Sequence, residues 1–138
     1  MPTLDQLTHR IEKNFSELRK HANQPYYRKC YFQSLIIFHV GISAFTKISP
    51  WKAQGFVHLT YLVDRFVSAP FELLAEPYHR QRQPIPKWMY AHFILSPYIA
   101  NKIGFNRHDR LNISQFKTIT MLFVAAVYIT KKHPPTWL

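Results

Sequence analysis

The chain has 138 residues, 47% of them apolar, which is the size of one domain and too hydrophobic for a disordered tail. Three glycines exclude nucleotide-cradling glycine loops and a hairpin-rich β fold, and a single cysteine excludes an internal disulfide or a cysteine-based zinc site. Eighteen Lys and Arg against seven acids give a net charge of +11, most of it late in the chain, where residues 77–138 hold nine basic residues against Asp109 alone.

Thr3 and Gln6 have the spacing of a capping box, which predicts a helix opening at residue 4. Leu4, Leu7, Ile11, Phe15, Leu18 and Ala22 follow at helical intervals and fall within about 80° of arc. Residues 1–24 are therefore expected as an amphipathic helix, with Leu4, Leu7, Ile11, Phe15 and Leu18 as its packing face and Asn23-Gln24-Pro25 as its stop. The N-terminus lacks the basic-then-apolar layout of a secretory signal. It also carries Asp5, Glu12 and Glu17, which a mitochondrial presequence avoids, so the segment is expected to stay in the mature protein.

Residues 30–46 carry no charge and stand between Arg28-Lys29 and Lys47, the centre of a second helix expected over 26–47. Ser49-Pro50 opens a third helix to about Val67, which Ser68-Ala69-Pro70 should break or restart for one or two further turns. Residues 77–88 then form a basic, proline-bounded loop. Residues 87–103 form another apolar helix, kinked or ended near Pro97. Asn112 or Ser114 caps a last helix over 113–132, whose end is marked by Lys131, Lys132, His133 and Pro134-Pro135.

The expected fold is all-α: one domain over 1–138, with four to five helices joined by proline-rich loops. The helices at 26–47 and 113–132 are expected to lie in a membrane or deep against partner chains. Neither length is decisive, because a 17-residue helix spans about 25 Å against a hydrocarbon core of about 30 Å. The stretch 118–130 is apolar all round, and a lone chain of this size has little with which to surround it.

Candidate chemistry is sparse. Glu72, Glu76 and His79 contain one Glu-x-x-His spacing, whereas a carboxylate-bridged metal pair needs it twice, so no metal site is expected. His39, His58 and His92 sit in apolar stretches, and two such histidines on facing helices can ligate a haem. Gly55-Phe56-Val57-His58-Leu59, followed by Asp64, resembles the histidine-then-aspartate pattern of the membrane anchors of succinate dehydrogenase over about ten residues. No quinone-site Ser/Arg signature precedes it. For all three histidines the expectation is a hydrogen bond to a backbone carbonyl or water, with no cofactor. Cys30 has no base with which to act as a nucleophile, and no catalytic residue is expected.

Arg80, Arg82, Lys87 and Trp88, with Arg107 and Arg110, are the candidate contacts to anions or partners. The expected role is a non-catalytic accessory subunit of a membrane-embedded assembly, narrowed to a respiratory or energy-coupling complex of the mitochondrial inner membrane. Its partners would be other subunits and anionic lipid headgroups. The competing expectation is a cytoplasmic basic protein of a ribonucleoprotein, whose arginines contact RNA phosphates and whose binding falls with salt.

Overall fold

A computed structural model describes residues 2–136. It is all-helical: α1 Leu4–Ala22, α2 Pro25–Phe45, α3 Pro50–Arg80, a 3-10 turn Lys87–Tyr90, α4 His92–Gly104 and α5 Ile113–Lys132. Caps explain two of the starts. Thr3 and Asn112 each accept from the backbone N–H three residues on, while Gln6 and Gln115 reach back to the cap residues, so two otherwise orphaned donors are satisfied at each end. At the end of α2 the Thr46 hydroxyl donates to the Ile42 carbonyl at 2.7 Å and accepts from Ile48 N–H at 3.1 Å, turning the chain toward α3.

α3 is the spine. With 31 residues it is about 46 Å long, and both Pro70 and Pro77 lie inside it. The break expected at 68–70 and the loop expected from 77 are therefore corrected: the helix runs to Arg80, and the loop shrinks to 81–86. A proline removes one hydrogen bond and crowds the carbonyl four residues back, which ends a helix only when nothing else holds the next turn. Here both sides are held. Arg10 of α1 pairs with Glu72 at 2.6 Å, and Phe71 packs on Trp88 and His92. Pro97 likewise sits inside α4 without ending it.

Two antiparallel pairs build the body. α3 and α4 run antiparallel, with Asp64 against His92 and Ser96 and Phe56 against Phe105. α2 and α5 run antiparallel, with Ser34 against Thr130 and Phe38 against Phe123. The pairs join through α2 and α3, where Tyr31 stacks on His58 and His39 meets Gln54. Their shared core is Phe38, Ile42, Ala53, Phe56, Ala100, Leu111, Ile119 and Ala126. The Phe56 and Phe116 rings stack in parallel at 5.2 Å.

α1 extends the line of α2 along the second half of α3. Its expected face is applied there by Phe15 on Phe66 and by Asn14, whose amide donates to the Arg65 carbonyl at 3.2 Å. Leu7, Ile11, Phe15 and Leu18 are half-buried, while Leu4 is 79% exposed and does not belong to the packed face.

Gly104 shows how closely α4 approaches α3. A Cβ built there would collide with Leu59 Cδ2, and the backbone is not left-handed, so glycine serves proximity rather than a turn. Gly104→Val is expected to push the helix ends apart at a cost of about 1–3 kcal/mol. The thermal midpoint followed by circular dichroism reads this, and an unchanged midpoint would contradict the close packing.

Candidate functional site

The distribution of side chains between the inside and outside of the bundle is its most informative feature. Among the described residues only six large apolar side chains are buried: Phe38, Ile42, Phe56, Met89, Leu111 and Ile119. Twenty-five are exposed, including Phe32, Ile36 and Val40 on α2, Phe93, Ile94 and Ile103 on α4, and Met121, Val124 and Tyr128 on α5. Scattered exposed apolar residues are ordinary on soluble proteins, but whole apolar helix faces are not.

Beside the core side chains Phe38, Ile42, Phe56 and Ile119, the seams carry small and polar groups. α4 turns Ser96, Ala100 and Gly104, spaced four apart, toward α3, and Ser96 and Ala100 are buried. Across α2 and α5 the Ser34 hydroxyl lies 2.9 Å from the Thr130 hydroxyl, Gln33 donates to the His133 carbonyl at 2.7 Å, and Ala126 is buried. Small residues let helix backbones approach, and hydroxyl and amide groups bridge them. Helices that associate without a hydrophobic drive between them pack in this way.

The α3–α4 seam carries the most concentrated polar cluster. Asp64 Oδ1 accepts from Ser96 Oγ and lies against His92 Nδ1, each at 2.8 Å, a geometry in which the imidazole N–H points at the carboxylate. Arg65 reaches Asp64 Oδ2 at 3.2 Å, and its guanidinium lies 5.2 Å from the centre of the Tyr61 ring. All three ionisable side chains are more than three-quarters buried. Among the described residues the buried side-chain atoms without a protein partner are His58 Nε2, Thr60 Oγ1, Arg65 Nε and Ser68 Oγ, all on α3 between residues 58 and 68. A buried donor or acceptor left unpaired costs roughly 1–3 kcal/mol. The middle of α3 is thus the costliest polar region among the described residues.

The histidine expectation is corrected in its partners. His39 Nε2 bonds Gln54 Oε1 at 2.6 Å and His92 bonds Asp64, so both meet side chains rather than backbone or water. His58 has its Nε2 buried without a protein partner and its ring stacked on Tyr31. No group of three metal-ligating side chains is found among the described residues. Glu72 and Glu76 instead hold Arg10, and Glu76 also meets Arg80 at 3.4 Å.

The cationic candidates form two patches. Arg80, Arg82, Lys87 and Trp88 are exposed at the C-terminal end of α3, where Arg82 adopts a left-handed backbone (φ 54°). Arg107 and Arg110 are exposed in the α4–α5 loop, near the N-terminal end of α3. The length of the spine separates them. Asn101, which the sequence reading passed over, shapes that loop: its amide donates to the Leu111 carbonyl at 2.9 Å, and its oxygen accepts from Leu111 N–H at 2.8 Å.

One helix, Ile113–Lys132, is long and apolar enough to cross a membrane, and only 17% of its most apolar stretch is buried by the rest of the chain. Neither apolar helix is enclosed by its own chain. Compared with family models, curated proteins and solved structures, the chain matches none.

Proposed function

We propose that this chain is a membrane-embedded, non-catalytic helical subunit that packs its outward apolar faces against lipid and neighbouring subunits of a larger assembly. The observation that carries the reading is the exposed large apolar side chains of α2, α4 and α5, which outnumber the six large apolar side chains buried among the described residues. In water the opposite arrangement is favoured, because each buried large side chain gains roughly 1.5–3 kcal/mol. In lipid the exterior costs nothing, and close seams give the cohesion.

The ends of the bundle suit the same setting. Lys47, Arg107, Arg110 and Lys117 lie at one end of α2 and α5, and Arg28, Lys29, Lys131 and Lys132 at the other. Such cations at both ends would suit the two headgroup levels of a bilayer. Lys132 sits 5.6 Å from the centre of the Tyr128 ring and Lys102 4.7 Å from that of Tyr98, the mixed aromatic and cationic edge found at membrane interfaces. An accessory place in an energy-coupling complex, such as one of the mitochondrial inner membrane, is the narrower form of the proposal. It rests on small size, helical make-up and basic charge.

Alkaline carbonate extraction of native membranes tests the reading. The protein is expected to stay with the pellet and to need detergent for release. Release by 0.5 M salt without detergent would overturn it in favour of a ribonucleoprotein component held by phosphate contacts, which weaken steeply with ionic strength.

A further inference from the structure

Where α2 turns into α3, a cleft of about 430 Å³ opens between that turn and the first turn of α5. Lys47, Ser49 and Lys52 line one side and Ser114 and Thr118 the other, with Phe45 at the rim, and no acidic residue lines it. Lys47 is exposed and makes no ion pair among those found, while Lys52 leans over the Phe105 ring at 5.5 Å with its charge unneutralised. The first turn of α3 leaves the Trp51 and Lys52 N–H groups without a side-chain cap, since Ser49 makes none, while Pro50 at the first position has no N–H to offer. The C-terminal carbonyls of α2 oppose this locally, so the two lysines decide the sign of the cleft. The same end of the molecule also carries Lys102, Arg107, Arg110 and Lys117 against Asp109 alone.

We infer that this cleft holds the phosphate of an acidic phospholipid headgroup, an assignment that rests on the membrane reading. Lys47 and Lys52 supply the charge, and the Ser49 and Ser114 hydroxyls are the neighbouring donors, while the Thr118 hydroxyl donates to the Ser114 carbonyl at 3.0 Å. What favours a lipid over a soluble phosphate is the rim. Phe45 is 79% exposed and Ile113 69% exposed, so apolar surface suited to acyl chains begins where the cationic cleft ends.

The test is native mass spectrometry of the protein in a neutral detergent with phosphatidylglycerol or phosphatidylcholine added. Phosphatidylglycerol adducts should outlast phosphatidylcholine adducts. The double substitution Lys47→Gln/Lys52→Gln should weaken phosphatidylglycerol retention about tenfold, the loss of two charge-assisted contacts, while Arg80→Gln/Arg82→Gln leaves it unchanged. Lys47→Gln alone, at an exposed position, should show part of the loss with the helical spectrum intact, which keeps the test readable if the double variant misfolds. Equal retention of the two lipids, or full retention by the lysine variants, would overturn the assignment. Complete displacement by millimolar inorganic phosphate would overturn the lipid source and leave a soluble phosphate as occupant. Carbonate extraction fails independently of these outcomes, so the membrane reading and the cleft can fall separately.

Discussion

Replacing Asp64 by alanine should be the most damaging single change in the chain, lowering stability by about 3 kcal/mol. One carboxylate holds three groups: His92 Nδ1 and Ser96 Oγ at 2.8 Å each, and Arg65 at 3.2 Å. Removing it leaves a guanidinium more than three-quarters buried without its counter-charge and an imidazole without its acceptor. Arg65 Nε already has no protein partner, so the cluster has no spare acceptor to redistribute. Asp64→Asn keeps one acceptor oxygen and removes the charge, and should cost roughly 1–3 kcal/mol. The order wild type, Asp64→Asn, Asp64→Ala should appear in the unfolding midpoints of the detergent-solubilised protein. A wild-type midpoint for the alanine variant would show that the seam holds through its small residues alone.

The second large effect belongs on the outside of α5. Val124 is 60% exposed near the middle of that helix and touches none of the seams described above. Val124→Arg should disfavour membrane insertion by about 3 kcal/mol, the cost of an arginine at the centre of a spanning helix. Retention in the carbonate pellet should fall sharply, while Val124→Leu should behave as wild type. In a water-facing helix the arginine would instead be harmless and would improve solubility. A Val124→Arg protein that remains as firmly in the pellet as wild type would therefore count against lipid on this face.

Helix identity was legible from local chemistry. The Thr3/Gln6 capping box marks the first start, and Ile113–Lys132 runs over the residues expected from its apolar stretch and basic end, with Asn112 rather than Ser114 as its cap. The third helix was misread because proline is a local signal, whereas what keeps α3 whole through Pro70 and Pro77 is non-local: α1 on one side and α4 on the other. Arg80 was accordingly assigned to a loop and is helical.

Much of the candidate site was illegible for the same reason. Ser96, Asn101 and Thr130 are ordinary polar residues in sequence, and Asp64 stands out only by its spacing from His58; helix pairing alone reveals that Asp64, Ser96 and Asn101 share the α4 seam and loop and that Thr130 meets Ser34. A four-residue spacing of Ser96, Ala100 and Gly104 was available as a signal and marks a close helix contact. The cationic residues were found at once, since charge needs no partner to be read, but their division between two ends of the spine depends on the length of α3.

Spin labels in a lipid bilayer test the central claim most directly. Met121→Cys, Val124→Cys and Tyr128→Cys place labels on the outward face of α5, and Ile119→Cys and Ala126→Cys place them in the seam, each in a Cys30→Ser chain. Outward labels are expected to collide freely with dissolved oxygen and hardly at all with a water-soluble nickel chelate, and the seam labels with neither. Strong nickel-chelate collisions at 121, 124 and 128 would put that face in water and contradict the account.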